Sequence, residues 1–166
     1  AVFGKTGVGK STLVNRLVGT KVAIVSDRPQ TTRRAVRGVA TAPDLSWQMV
    51  LVDLPGVQRP RDTLTSRMQK RVERELRDSD AILFVSPEYN RSIPGALKNA
   101  IDWVIGTGEL ERKVVAITAS VPGSERGRMG LAALRQTLGA VSATIVCGEP
   151  IVRGPGLEGE VRALVE

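Results

Sequence analysis

The sequence of 166 residues contains no histidine and a single cysteine, Cys147. Without histidine, the chain cannot build histidine general bases, serine–histidine triads or most zinc sites. A lone cysteine cannot form an internal disulfide, which is typical of a reducing compartment and favours a cytoplasmic protein. We predict that Cys147 is a small core residue of a strand.

Aromatic residues and long apolar runs are scarce as well. Phe, Trp and Tyr make up 3% of the chain, which argues against an RNA-binding surface built on base stacking. No apolar run approaches the roughly 20 residues of a membrane span, so no membrane partner is expected. The chain begins inside an apolar strand, with neither an initiator methionine nor a charged leader, which suggests a trimmed fragment without a signal peptide.

Positive charge is concentrated in the first half of the chain, whose total formal net charge is +7. Residues 1–80 contain 15 Lys and Arg against 8 Asp and Glu, whereas residues 81–166 contain 9 of each. A basic first half favours polyanionic partners, nucleotide phosphates first and RNA second. The alternative for the basic run from Arg67 to Arg77 is a solvated helix face.

Residues 4–11 read G-K-T-G-V-G-K-S, a complete phosphate-binding loop placed between an apolar strand and a helical pattern. Its glycines let backbone N–H groups surround a phosphate, and the following helix N-terminus adds partial positive charge. Lys10 is predicted to reach the β- and γ-phosphates, and Ser11 to hold Mg²⁺. The alternative is a glycine-rich turn with a chance lysine. The predicted phosphate ligands are Gly4, Gly7, Val8, Gly9, Lys10, Ser11, Thr12 and Gly56.

Two further segments are typical of a site for Mg²⁺ and a nucleoside triphosphate. The tetrapeptide D-L-P-G at 53–56 follows a predicted strand, where Asp53 can hold Mg²⁺ and the Gly56 amide can meet a γ-phosphate. The alternative for Asp53 is a helix cap. The pair T-T at 31–32 lies in a polar stretch, where a threonine can close onto the metal when a γ-phosphate is present.

The stretches K-V-A-I-V-S-D-R-P-Q-T-T-R-R at 21–34 and V-D-L-P-G-V-Q-R-P-R at 52–61 resemble the Era-type ribosome-assembly GTPases. The resemblance covers about residues 1–85. It implies that Lys10 lies on phosphate and that Asp53 and Gly56 belong to the second switch. It also implies the set of metal ligands, which is Ser11, Thr32 and Asp53.

One agreement with this family and three departures from it bear on the expected activity. The position after D-x-P-G is apolar in the family and is Val57 here, which implies slow hydrolysis because no side chain there orients the water. Gly7 replaces a common asparagine that helps to hold a monovalent cation, so potassium dependence is not expected. The guanine-reading N-K-x-D motif is missing, with T-A-S-V-P-G at 118–123 after the fifth strand. The family's RNA-binding domain is missing too, which argues against an RNA or ribosome partner.

A different family is indicated by S-P-E-Y-N-R-S-I-P-G-A-L-K-N-A-I-D-W at 86–103, which resembles the NAD(P)H-dependent FMN reductases of flavodoxin-like fold. This resemblance covers about residues 78–147, and Arg91 stands where glycine is usual. It implies that two loops clamp the isoalloxazine ring of FMN. The implied flavin-binding residues are Pro87, Glu88, Tyr89, Asn90, Ser120 and Gly123. The alternative is a loop with a capping Asn90 and a core Trp103.

Apolar runs alternate with helical patterns along the chain, which predicts a single α/β domain over 1–166, a three-layer sandwich around a mostly parallel sheet. The short connection between the strands predicted at 35–41 and 48–53 requires an antiparallel pair. The two resemblances imply a mosaic joined near residues 78–85, GTPase-like over 1–80 and flavodoxin-like over 81–166. They also imply six strands in the order 2-3-1-4-5-6, with strand 2 antiparallel, and a closing helix is predicted at 158–165.

Three functions therefore stay open at this stage. The first is a Mg²⁺-dependent binder of GTP or another nucleoside triphosphate, with weak or no turnover and poor base selectivity. The second is an FMN-binding reductase, with the FMN phosphate on residues 4–11. The third is an inert scaffold. The pairing common among flavodoxin-like reductases implies a homodimer.

Overall fold

The computed structural model describes residues 1–25, 32–57, 63–105, 108–123, 125–148 and 150–152. The two strands predicted at 35–41 and 48–53 lie within one residue of those bounds. The strands are β1 (Val2–Gly4), β2 (Val36–Thr41), β3 (Gln48–Asp53), β4 (Ala81–Val85), β5 (Val114–Val121), β6 (Thr144–Cys147) and β7 (Pro150–Val152). The helices are α1 (Lys10–Val18), α2 (Thr63–Asp78), α3 (Gly95–Ile105) and α4 (Arg128–Gly139). The helix predicted at 158–165 lies outside the described residues.

The strands form one sheet in the order β2-β3-β1-β4-β5-β6. Strand β2 runs antiparallel to β3, and the other neighbours are parallel. Val2 of β1 pairs with Asp53 of β3 on one side and with Leu83 of β4 on the other. The predicted order and the predicted antiparallel strand are confirmed. The carboxyl ends of β1, β3, β4 and β5 meet at one edge, where ligands bind in sheets of this kind.

In the described part of the chain, one further strand, β7, joins the predicted six-strand order by pairing with β5. Strand β5 has eight residues, and β6 pairs only with its first half. The second half, from Ala119 to Val121, pairs with β7 in parallel. A strand of three residues is too short to show a period in the sequence, so the pattern gave no sign of it.

Alternating side chains of β4 point to opposite faces of the sheet, as the strand period requires. Ile82 and Phe84 belong to a larger core that α2, α3 and α4 cover. Val85 belongs to a smaller core, which includes Leu13 and Val14 of α1. The sheet is therefore the middle layer of the three-layer sandwich that was predicted.

The join between the two halves of the chain contains a cavity of about 610 Å³ between α2 and α3. Its lining includes Leu76 of α2, Ala96 and Trp103 of α3, and Gly56 from the loop after β3. Trp103 is 61% exposed, so the interpretation of Trp103 as a core residue is wrong. None of the helices in the described part of the chain is long and apolar enough to cross a membrane.

Candidate functional site

The phosphate loop connects the end of β1 to the start of α1. Gly7 has φ 75° and Gly9 has φ 91°, both in the left-handed region that glycine adopts without strain. Gly9 is the N-cap of α1 and supplies no side-chain cap, and the first turn contains no acidic residue. The helix N-terminus therefore keeps N–H groups and a partial positive charge for an anion.

Lys10 begins α1 and is buried, with 6% of its surface exposed. Its Nζ donates hydrogen bonds to the carbonyl oxygens of Gly4 at 3.2 Å and Lys5 at 2.9 Å. Burial lowers the pKa of Lys10 to about 8, and the negative charge of Asp53 opposes that shift. The ammonium group is therefore mostly charged at neutral pH, and the loop carbonyls hold it inside the turn.

The three predicted metal ligands lie together. The Ser11 hydroxyl donates to Asp53 Oδ2 at 2.5 Å, and the Thr32 hydroxyl donates to the same oxygen at 3.1 Å. The Ser11 and Thr32 oxygens are 3.1 Å apart. Since Ser11 lies in the first turn of α1, Asp53 ends β3 and Thr32 precedes β2, only the folded sheet brings these groups together.

The Asp53 carboxylate is fully buried, and Oδ1 has no hydrogen-bond partner among the described residues. Burial raises the pKa of Asp53, and the hydrogen bond from Ser11 and then the charge of Lys10 oppose the rise. The described residues contain no group of three His, Cys, Asp or Glu side chains that could hold a metal. One carboxylate with two hydroxyls fits Mg²⁺, which prefers oxygen ligands and takes the rest of its shell from water and phosphate.

The loop after β3 packs directly against the phosphate loop. The Val57 N–H donates to the Gly4 carbonyl at 3.0 Å, and Val57 forms a parallel bridge with Lys5. A Cβ at position 56 would lie 2.4 Å from the Cα of Thr6, so only glycine allows this approach. The Gly56 backbone is thereby held beside the loop that would cradle the phosphates.

The loop that resembles the FMN reductases forms a tight two-residue turn after β4. Tyr89 and Ser92 exchange backbone hydrogen bonds of 2.8 and 2.9 Å. The two residues between them are left-handed, Asn90 with φ 49° and Arg91 with φ 61°. This is the geometry of a type I′ turn, whose second central position favours glycine. Glycine adopts this left-handed backbone without strain, whereas Arg91 adopts it at a cost.

Glu88 has a structural partner. Its Oε2 accepts a hydrogen bond from the Gly130 N–H in the first turn of α4, at 2.8 Å. The N-cap of α4 is Gly127, which supplies no side-chain cap. The Glu88 carboxylate, from a distant loop, caps the helix instead. A flavin contact by Glu88 stays a prediction that must share the carboxylate with this helix.

The remaining flavin-binding predictions lie at the same edge of the sheet. Pro87 precedes the turn, and Tyr89 is 48% exposed. Ser120 is in β5, where its side chain lies outside the described residues, and Gly123 is in the bend that follows β5.

Cys147 lies on β6 and is half-buried, so its placement in the core is wrong, because β6 is at the edge of the main strand order.

The two loops meet through Lys5 and Tyr89. Lys5 Nζ donates to the Tyr89 hydroxyl at 3.1 Å and lies 5.2 Å from the centroid of its ring. The contact follows from the sheet, because Gly4 of β1 pairs with Val85 of β4. The candidate phosphate site and the candidate flavin loop therefore form one continuous surface.

The family model described as NADPH-dependent FMN reductase matches residues 21–154. The chain belongs to this family. The match begins earlier in the chain than the resemblance found from the sequence, which started at about residue 78.

The first half has a second set of relatives. GTPase Era of Leifsonia xyli subsp. xyli is 51% identical over 92 residues, which cover 55% of this chain and 30% of that protein. A crystal structure of Era in complex with MgGDPNP and a segment of 16S ribosomal RNA matches with a TM-score of 0.76 and 26% identity, over 99% of this chain and 54% of that one. Aquifex aeolicus Era bound to GDP·AlF4⁻ matches with a TM-score of 0.73, 26% identity and the same shares.

These comparisons confirm the mosaic of an Era-like GTPase segment and an FMN reductase segment. The chain spans about 30% of the length of the Leifsonia relative and about half of the Era structures. The similarity to Era structures extends over both halves, which agrees with a single continuous sheet.

Sequence reasoning missed three contacts of this site. Thr6 stands at a variable position of the motif, so nothing in the spacing marks it, yet its hydroxyl is buried beside Gly56. The pairing of Lys5 with Tyr89 and the capping of α4 by Glu88 join residues far apart in the chain. Only the strand order could have indicated them, by placing the loops after β1, β4 and β5 side by side.

Proposed function

We propose that this chain binds a nucleoside triphosphate together with Mg²⁺ at the loop 4–11, with weak or no hydrolysis and poor selection between bases. The observation that carries the proposal is the Asp53 carboxylate, which the Ser11 and Thr32 hydroxyls contact. Its Oδ1 has no hydrogen-bond partner in the described part of the chain. An oxygen cluster of this kind beside a buried lysine fits a metal-bound phosphate chain.

Each part of the site has a distinct task in this proposal. The α1 N-terminus and the Lys10 ammonium bind phosphate, and the Gly56 amide meets the terminal phosphate. The Ser11 and Thr32 hydroxyls and the Asp53 carboxylate, directly or through water, would hold Mg²⁺, which neutralises phosphate charge when bound. Era itself crystallises in complex with MgGDPNP, which supports the same ligand class here.

Weak turnover and poor base selectivity follow from two features of the sequence. Val57, beside the phosphate loop, has an apolar side chain that cannot orient an attacking water. Residues 118–123 read T-A-S-V-P-G where an Era-type GTPase has N-K-x-D. Without the aspartate of that motif, the guanine edge lacks the partner that separates GTP from ATP.

The test is a thermal-shift comparison of the protein alone, with Mg²⁺–GTP, with Mg²⁺–ATP and with FMN. A ligand at about 100 times its dissociation constant stabilises the folded state by about 2.7 kcal/mol. We expect similar shifts with both triphosphates. A large shift with GTP and none with ATP would overturn the claim of poor selectivity. A shift with FMN alone would favour a flavin site, and no shift with any of the three ligands would leave the inert scaffold.

FMN binding is a second candidate, favoured by the family match and by the contact of Lys5 with Tyr89. The FMN phosphate would lie on the loop 4–11 and the ring against Tyr89, with NAD(P)H as the reductant. Quenching of FMN fluorescence by the purified protein tests it, and unchanged fluorescence at excess protein excludes it. Homodimer formation stays a prediction that sedimentation would check.

A further inference from the structure

Two buried side-chain oxygens in the described part of the chain have no hydrogen-bond partner, Thr6 Oγ1 and Asp53 Oδ1. Leaving a buried hydroxyl or carboxylate oxygen unpaired is unfavourable, and both lie in the candidate site. The predicted metal accounts for the Asp53 oxygen. The Thr6 hydroxyl has no such role in the proposed function and needs an acceptor of its own.

The surroundings of Thr6 indicate where that acceptor lies. A Cβ built on Gly56 would be 2.5 Å from Thr6 Oγ1, so the hydroxyl and the Gly56 backbone are direct neighbours. Gly56 is the group expected to meet the terminal phosphate of a triphosphate. A threonine hydroxyl rotates to suit an acceptor, and an ionised phosphate oxygen is a strong one.

We propose that the Thr6 hydroxyl donates a hydrogen bond to the γ-phosphate and makes the site prefer triphosphates over diphosphates. This inference rests on the proposed function. Thr6 is then a specificity-determining residue, because a diphosphate leaves its hydroxyl unpaired. The position after Lys5 in the loop, which the motif leaves free, carries this selection in the present chain.

The experiment compares the wild type with Thr6→Val, which keeps the shape and removes the hydroxyl, and with Thr6→Ser, which keeps the hydroxyl. Calorimetry with Mg²⁺ gives the dissociation constants for a non-hydrolysable GTP analogue and for GDP. For Thr6→Val we expect triphosphate binding to weaken about tenfold and diphosphate binding to change less than about twofold, as the loss of a charge-assisted hydrogen bond predicts. Thr6→Ser should restore most of the difference.

Two further measurements separate this role from a structural one. The γ-phosphate resonance in the ³¹P spectrum of the bound analogue should move in Thr6→Val, while the α resonance stays in place. The melting temperature of the nucleotide-free variant should be equal to or higher than that of the wild type, because an unpaired buried hydroxyl has been removed.

The outcomes are distinguishable. If the wild type binds no triphosphate, the proposed function fails and this inference with it. If the wild type binds but Thr6→Val keeps its ratio of triphosphate to diphosphate affinity, or weakens both equally, the inference alone is overturned. Should Thr6→Val fold poorly, the same ratio measured in Thr6→Ala decides.

Discussion

The Lys5 ammonium donates a hydrogen bond to the Tyr89 hydroxyl at 3.1 Å and so joins loops that belong to two different families. The same ammonium lies 5.2 Å from the centre of the Tyr89 ring. The hydrogen bond is exposed, so it orients the two loops without fixing them. Any ligand seated on the phosphate loop therefore lies close to Tyr89.

Lys10→Ala should abolish triphosphate binding, because it removes the buried ammonium that the Gly4 and Lys5 carbonyls hold in the loop. The same variant should weaken FMN and leave an inert scaffold unchanged. Isothermal calorimetry with Mg²⁺–GTP measures the effect. Lys98→Ala is the matched control, since Lys98 is an exposed residue of α3 paired with Asp102. Equal affinities for Lys10→Ala and the wild type would contradict the proposed site.

Triphosphate affinity should fall as the pH rises through about 8, the pKa to which burial lowers Lys10. The protonated form binds phosphate, and its fraction falls about tenfold for each pH unit well above the pKa. Folding stability changes with pH in the opposite direction. Burial of the charged Lys10 lowers the free energy of unfolding below pH 8, and this loss disappears as the pH rises from about 8 to 10.5, the ordinary pKa of lysine. Dissociation constants of the wild type at pH 7, 8 and 9 check the first effect, and Lys10→Met should flatten the dependence of folding stability on pH.

Asp53→Asn should remove most of the Mg²⁺ dependence of nucleotide binding, because the amide carries no charge for the metal. We expect at least about a tenfold loss of affinity with Mg²⁺ present and little change in EDTA. The nucleotide-free variant should be no less stable, since burial disfavours the Asp53 carboxylate. Asp102→Asn on the exposed side of α3 is the control. Unchanged Mg²⁺ dependence in Asp53→Asn would place the metal elsewhere.

Arg91→Gly should stabilise the protein by about 1 kcal/mol, because a left-handed backbone costs roughly that much for a residue with a side chain. In a domain of this size the melting temperature should rise by about 2–4 °C. Asn90→Gly is the comparison, since asparagine tolerates the left-handed region better and should gain less. A loss of stability in Arg91→Gly would mean that the arginine side chain makes a contact worth more than the strain.

Ala96→Leu should fill part of the cavity between α2 and α3 and stabilise the fold by about 0.5–2 kcal/mol. Thermal or urea unfolding measures the gain. Ala132→Leu makes the same substitution on the exposed face of α4, where the added side chain stays in contact with water. It should leave the free energy of unfolding nearly unchanged. If both variants behave alike, the cavity is not a packing defect of the join.

The features that could be predicted from the sequence are those that depend on short spacings between residues. The loop 4–11 and the D-L-P-G turn place Ser11 and Asp53 with little freedom, so the meeting of these two side chains could be predicted, and the family resemblance added Thr32. The strand β7 could not, because three residues carry no period. The roles of Thr6 and Glu88 could not either, since both depend on contacts with segments far along the chain.

The division of one sheet edge between β6 and β7 affects the behaviour of the protein at high concentration. A long, flat edge strand offers unpaired N–H and C=O groups to another chain and promotes aggregation. Here that edge consists of two short pieces, four and three residues long, which pair with successive parts of β5. The opposite edge is the continuous six-residue strand β2, where Val39 is exposed beside Val50 of β3. Self-association through strand pairing should therefore begin at β2, and a lysine in place of Val39 should suppress it.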